Sequence, residues 1–275
     1  MARRGIRARR AGTQAPGRVC LYSDPMSDRA SQIASWLHER MHAAGARGFV
    51  VGLSGGIDSA VVARLCQIAV HSHILGVLLP CYSQPQDEDD AHLVAKTFGI
   101  PTVRVELDRT YDALQESLHT AIKGLPHEVH VVDIKQQLPE ANSKPRLRMT
   151  TLYFIANSLN YLVAGTGNRS EIALGYYTKY GDGGVDLLPI GGLFKSEVRA
   201  LARALGVPAR IIDKAPSAGL WIGQTDEAEM GFTYEMLEAY LTHGRAAVPA
   251  PVADRIDTLR STSDHKRALP PIAPV

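Results

Sequence analysis

Phe49-Val-Val-Gly-Leu53 is a short run without a charge, and it leads directly into Ser54-Gly-Gly-Ile-Asp-Ser59. The run is apolar on both alternating faces and too short for a helix. That is the pattern of a strand buried on both sides in a parallel sheet. An apolar stretch follows from about Ile57 to Val70 and reads as a helix. The glycine turn therefore joins the carboxyl end of a strand to the start of a helix. Glycines let a backbone approach an anion closely, and a helix start offers free N–H groups and a partial positive charge. The hydroxyls of Ser54 and Ser59 add donors. Asp58 is out of place in an anion cradle unless it holds a cation, so it points to Mg2+.

Working outward, strands and helices alternate. Ser27 can cap a helix to about Ala44, with Ile33, Trp36, Leu37 and Met41 predicted on its inner face and Gly45 ending it. Ile74–Leu79 is the second predicted strand, ended by Pro80, and Thr102–Glu106 the third. Between them Asp87–Phe98 is a helix facing inward through Ala91, Val94, Ala95 and Phe98. Residues 111–122 are helical. The stretch 124–145, broken by Pro126, Pro139 and Pro145, is expected to be a loop or partly helical insert. Arg146–Asn160 is a helix packing through Met149, Leu152, Tyr153, Ala156 and Leu159, and Tyr161–Ala164 is the fourth strand. Gly165–Gly192 reads as loop-rich. Ser196–Leu205 is a helix closed by Gly206 and Pro208, and Thr233–His243 is the last clear one before a proline-rich tail from Ala246. This order implies an α/β fold: an open, mostly parallel sheet with helices on both faces, Rossmann-like, binding its ligands at the carboxyl ends of the strands.

The chain has 275 residues, 45% hydrophobic and 21% charged, ordinary values for a globular protein. The net charge of +2 hides an asymmetry. Residues 1–25 carry six arginines and one aspartate, whereas the rest holds 24 basic residues against 27 acidic. We expect 1–25 to be a basic, solvated extension and 26–275 a single domain, with Met26 an alternative start. The mildly acidic body speaks against a nucleic-acid partner. No run of about 18 apolar residues suits a membrane span. Cys20, Cys66 and Cys81 form neither a disulfide framework nor a CxxC pair, which fits a cytoplasmic protein.

Two rival motifs overlap the turn. A Walker A loop requires Gly-Lys-Ser/Thr, and no lysine stands here. Gly52-Leu-Ser-Gly-Gly56 also fits the G-x-S-x-G elbow of α/β-hydrolases, but that reading places the elbow on the first strand and gives Asp58 and Ser59 no role.

Ser54–Ser59 resembles the pyrophosphate-binding loop of the PP-loop ATP pyrophosphatases, the adenine nucleotide α-hydrolase-like group, which adenylate a substrate and release pyrophosphate. Further segments resemble one branch of that group, the ammonia-dependent NAD synthetases. They are Asn142-Ser-Lys-Pro-Arg-Leu-Arg-Met149, Gly165-Thr-Gly-Asn-Arg-Ser-Glu171, Tyr177-Thr-Lys-Tyr-Gly-Asp-Gly-Gly-Val-Asp186, Leu193-Phe-Lys195, Ala215-Pro-Ser-Ala-Gly-Leu220, Gln224-Thr-Asp-Glu227 and His265-Lys-Arg267.

The resemblance implies amidation of deamido-NAD to NAD through an acyl-adenylate. It implies ATP contacts from Gly52, Leu53, Ser54, Gly55, Gly56, Ile57, Asp58, Ser59, Thr166, Lys195 and Ser217. It also implies Mg2+ ligands in Asp58 and Glu171, and phosphate neutralisation by Lys195. Deamido-NAD contacts would be Arg146, Lys179, Asp186, His265 and Lys266, the last two forming a substrate-ordered lid, and Asp182 would steer ammonium. Ser217 stands where the family commonly has threonine. A homodimer is implied as well. Two alternatives remain at this level: a tRNA-modifying PP-loop enzyme, and a non-catalytic nucleotide-binding protein that would need neither Glu171 nor Lys195. Ammonia, rather than glutamine, is the expected nitrogen donor. Cys66 is expected to be buried and inert, and Cys81 is the thiol placed nearest the site.

Overall fold

The computed structural model describes residues 25–129, 137–217, 219, 223 and 225–274. The basic extension, with Cys20, lies outside the described residues, as do Ala218, Leu220 and Gln224 of the family-like segments.

Helix α1 (Pro25–Ala43) precedes β1 (Phe49–Gly52), α2 (Ile57–Val70), β2 (Ile74–Leu78), α3 (Pro85–Phe98) and β3 (Thr102–Arg104). Then come α4 (Asp108–Lys123), α5 (Gln137–Leu159) and β4 (Leu162–Val163). The strands pair in the order β3-β2-β1-β4, every pair parallel, so the strand before the glycine turn is an inner strand of a parallel sheet, as expected. Alternation along β1 sends its side chains to both layers. Phe49, Val51 and Leu53 join α1 and α2 in one core, while Val50 joins Val77, Ala156 and Val163 in the other. Gly52 faces α5 on that second side, where an added Cβ would touch Leu152.

The remaining helices are α6 (Arg169–Leu174), α7 (Lys195–Ala204), α8 (Ala209–Ile212), α9 (Asp226–Met230), α10 (Tyr234–His243) and α11 (Ala250–Thr262). Helix α7 packs beside α2 in the first core. Helices α6, α9, α10 and α11 enclose a third apolar cluster through Leu174, Met230, Leu237 and Ile256. Among the described residues, no helix is long and apolar enough to cross a membrane.

Three expectations need correction. The buried stripe of α1 is Ala30, Ala34, Leu37 and Met41, and Trp36 is 37% exposed. Leu159, expected to face inward on α5, is 38% exposed. Helix α5 begins at Gln137 and continues through Pro145, so the stretch 124–145 is partly helical, one of the two forms expected of it. The proline-rich tail contains α11, with Pro249 as its N-cap and Pro251 in its first turn. Proline has no N–H to lose there and its φ suits a helix start, so these prolines begin a helix rather than prevent one. Cys66 is fully buried in α2, and burial pushes its thiol well above the usual range, as expected of an inert cysteine.

Candidate active site

The turn between β1 and α2 is held by its own serines. Ser59 Oγ donates to the Gly56 carbonyl at 2.9 Å, and the Gly56 N–H donates to Ser54 Oγ at 3.2 Å. Gly55 is required: its φ is +75°, and a Cβ there would stand 2.3 Å from the Asp87 carbonyl of α3. Gly56 is the N-cap of α2 and no side chain caps the helix. The positive end of α2 is thus left for an anion.

Beside this helix start, three charged side chains converge from distant parts of the chain. Lys195, the first residue of α7, is 2% exposed, ion-paired with Asp58 Oδ2 and 3.6 Å from Glu171 Oε1. Asn168 binds both acids: its Nδ2 donates to Asp58 Oδ1 at 3.2 Å, and its N–H donates to Glu171 Oε2 at 3.1 Å. The Glu171 N–H returns a bond to Asn168 Oδ1, completing a capping box at the start of α6. Glu171 therefore caps a helix and faces the site at once. Burial and the neighbouring Asp58 charge push the Glu171 carboxyl up to about 8, with Lys195 opposing them. The two carboxylates hold Lys195 firmly protonated.

These groups line a cleft of about 830 Å³ over the carboxyl ends of β1 and β2. That is at the large end of the usual ~300–1,000 Å³ for small-molecule sites. Gly52, Leu53, Ser54, Gly56, Ile57, Asp58, Ser59, Thr166, Glu171, Asp182, Lys195, Ser217 and Lys266 all line it. Gly55 lies behind the wall, against α3.

Four sequence-assigned residues are placed elsewhere. Arg146, Lys179 and His265 form an outer group. Arg146 Nη2 donates to the Lys179 carbonyl at 3.4 Å, and Lys179 Nζ donates to the His265 carbonyl at 2.6 Å. Asp186 accepts from the Val163 N–H at 2.8 Å and from Tyr153 Oη at 3.0 Å, so its two oxygens fasten the glycine-rich segment to β4 and α5. The lid expectation also changes. His265 and Lys266 lie in a 3-10 turn after α11, and Lys266 Nζ donates to the carbonyls of Gly175 and Tyr177, each at 2.7 Å. The segment is docked, not loose.

The cleft also contains charged residues to which the family resemblance gave no role. Lys214 Nζ bridges Asp87 and Asp90 at 2.8 and 2.7 Å beside the glycine turn. Asp226, 4% exposed, accepts from Tyr234 Oη at 2.8 Å. Arg148 reaches the Leu79 carbonyl and Ser83 Oγ from α5. A signal for Arg148 existed. At 100° per residue Lys144 and Arg148 share one helix face, and Arg146 points roughly the opposite way. Lys144 is buried, with its Nζ 5.8 and 5.6 Å from the ring centres of Tyr82 and Tyr111.

Asp58 and Glu171 fit a hard divalent cation. They are oxygen donors flanking one ammonium beside the uncapped start of α2. Among the described residues, no group of three acids, histidines or cysteines could hold a metal alone. Mg2+ needs no such cage, because it keeps waters and takes substrate phosphates as ligands.

Known proteins give the same picture. The family model described as NAD synthase matches residues 29–270. The NH(3)-dependent NAD(+) synthetase of Carboxydothermus hydrogenoformans is 50% identical over 245 residues, which are 89% of this chain and 96% of the relative. A solved NMN synthetase from Francisella tularensis superposes with a TM-score of 0.82 at 36% identity, over 91% of this chain and 99% of that one. An NH3-dependent NAD synthetase structure from Campylobacter jejuni gives 0.73 at 26% identity, over 91% and 100%.

Proposed function

Because the chain belongs to the NAD synthase family and, like its curated relatives, amidates deamido-NAD with ammonia, we propose a division of labour among its own residues. The enzyme is a ligase forming a C–N bond. A free nicotinate carboxylate resists amidation because oxide is a poor leaving group. Its oxygen attacks the α-phosphorus of ATP, the bond to the β-phosphate breaks, and pyrophosphate leaves. Ammonia then attacks the acyl carbon and AMP departs. Such chemistry needs positioning and charge neutralisation.

The single observation that carries this reading is the Lys195 ammonium, fixed by Asp58 and Glu171 beside the uncapped start of α2. Ser54–Ser59 and the α2 N–H groups receive the β- and γ-phosphates, and Lys195 neutralises their charge as pyrophosphate forms. Asp58 and Glu171 would hold Mg2+, which when bound supplies Lewis-acid neutralisation of phosphate oxygens. Thr166 and Ser217 offer hydroxyls to the nucleotide, and Asp182 draws ammonium into the cleft. Lys266 holds the wall through Gly175 and Tyr177.

We assign Arg146, Lys179 and His265 to the outer half of the dinucleotide, with Asp186 fixing the segment that carries Lys179. Leu118 and Ile122 on α4 and Phe154 on α5 are 42%, 47% and 74% exposed, and α4 buries no residue at all. We read this as the face of a homodimer. Phe154→Glu should shift the enzyme to monomer in sedimentation at micromolar concentration. An unchanged dimer, or a wild-type monomer, would remove this face from consideration. We place the reaction in the cytoplasm, with residues 26–275 acting as one catalytic domain.

The functional test measures AMP and pyrophosphate release, with two acyl acceptors and two nitrogen donors. Deamido-NAD with ammonium salts should give NAD, and ammonia-free glutamine almost none. Nicotinate mononucleotide is the informative second acceptor, because one of the similar solved structures is called an NMN synthetase. A higher kcat/KM with the mononucleotide would move the substrate assignment to the smaller molecule.

A further inference from the structure

Arg148 has the surroundings of an anion site without an internal anion. Its Nε donates to the Leu79 carbonyl at 3.0 Å and its Nη2 to Ser83 Oγ at 3.2 Å. Nη1 makes no hydrogen bond, and no carboxylate lies within ion-pairing distance, among the described residues. Asp182, Asp87 and Asp108 act on it only from farther away, and burial lowers the guanidinium below its usual range. A largely enclosed cation without a carboxylate partner is costly unless a ligand supplies the charge. The side chain lines the same cleft as Ser54 and Lys195.

The sheet register fixes where that charge must be. Gly52 pairs with Val77, and the Leu53 N–H donates to the Val77 carbonyl at 2.9 Å. Two residues on, Leu79 stands abreast of Ser54, about one strand spacing (~4.8 Å) to the side. On the other flank of the loop stand Lys195, Asp58 and Glu171, which suit pyrophosphate and its cation. On the Arg148 flank the wall is apolar (Val77, Leu78, Leu79 and Pro80), which suits a nucleoside. A nucleotide whose terminal phosphates occupy the loop and whose nucleoside lies along this wall brings its α-phosphate to the guanidinium.

We propose that Arg148 is a further catalytic residue of the adenylation step, its guanidinium fork holding the α-phosphate of ATP from the side opposite Lys195. Leu79 and Ser83 fix the fork, and Nη1 is left for a phosphate oxygen. In the step itself, the nicotinate oxygen forms its bond to phosphorus as the bond to the β-phosphate oxygen breaks. The electron pair leaves with pyrophosphate, and Arg148 stays protonated throughout. The same contact persists in the acyl-adenylate and in AMP. This proposal rests on the reading of Ser54–Ser59 as the pyrophosphate loop.

The test is calorimetric binding of AMP, adenosine and pyrophosphate, with Mg2+ present, to wild type, Arg148→Gln and Arg148→Lys. Wild type should prefer AMP to adenosine. Arg148→Gln should weaken AMP about ten- to a hundredfold, the range for a charge-assisted contact, while adenosine and pyrophosphate stay within about twofold. Arg148→Lys, which keeps the charge but not the fork, should fall between. An unchanged AMP-to-adenosine ratio would overturn the proposal. So would a rise confined to the KM for deamido-NAD, which would mean a carboxylate contact, or an equal loss for adenosine and AMP, which would mean a structural one. Should Arg148→Gln not fold, the wild-type ratio still decides, since equal affinities for AMP and adenosine contradict an α-phosphate clamp. Failure of pyrophosphate to bind wild type would instead count against the loop assignment.

Discussion

Asp58→Asn should abolish adenylation and leave the protein folded. The side chain lies in the first turn of α2, where it accepts from Asn168 and pairs with Lys195. An amide oxygen still accepts from Asn168, and Lys195 keeps Glu171 as an ion-pair partner. What disappears is one anionic oxygen donor facing the phosphates. Charge neutralisation by a metal contributes several kcal/mol to a transition state, so a loss of about 4 kcal/mol, roughly a thousandfold in kcat, is expected. Pyrophosphate release in a single turnover measures this directly, with far-ultraviolet circular dichroism as the control for folding. Near-wild-type kcat at saturating Mg2+ would falsify the role given to Asp58.

Lys195→Met should be damaging on two counts. Activity should again fall roughly a thousandfold, because Lys195 is the side-chain cation that stands with Asp58 and Glu171 at the departing pyrophosphate. Stability should fall as well. Removing one partner of a buried ion pair typically costs about 3–5 kcal/mol, since the other charge is left uncompensated. Here two carboxylates are left, with 18% and 19% of their side-chain surfaces exposed. The deficit should depend on pH in a definite direction. Glu171 already titrates well above its unfolded value, so its contribution to stability is greatest below that value and is lost as pH rises through about 8. Without Lys195 its carboxyl is pushed higher still. The variant should therefore lie closer to wild type near pH 6 than near pH 8.5, where the uncompensated charge must be borne. Urea titrations at both pH values test this. A deficit that is equal at both would show that lost packing against Tyr234, whose ring centre lies 5.3 Å from Nζ, matters more than charge.

The central strands and the glycine turn were legible in the sequence because a short uncharged strand followed by Ser-Gly-Gly has few other physical readings. The convergence of Lys195 on Asp58 was not legible from spacing, since 137 residues separate them. Only the family-like segments joined the two. The proline-rich tail misled for a clear reason: proline inside a helix and proline in its first turn have opposite meanings, and composition does not distinguish them. Trp36 shows a similar limit. Ala30 and Ala34 define the stripe of α1 because small side chains permit close contact with α2, a criterion that favours size over hydrophobicity. Among the basic residues of Asn142–Met149, family resemblance selected Arg146, whereas helix phase selects Arg148 for the cleft. Asp186 was recognised as important, but its work in the structure is to fasten a loop to the sheet.

The bonds from Lys266 to the carbonyls of Gly175 and Tyr177 have a consequence for the order in which the enzyme comes into being. A ribosome makes the phosphate turn first, when barely a fifth of the chain exists, but the cation that balances its aspartate arrives much later. Lys266, the last cleft-lining side chain among the described residues, emerges 207 residues after Ser59. A growing chain thus carries a recognisable nucleotide loop for most of its synthesis without a complete pocket around it. Competence waits for Lys266, so a chain that stops short of it has the means to display the motif but not to close the pocket around ATP.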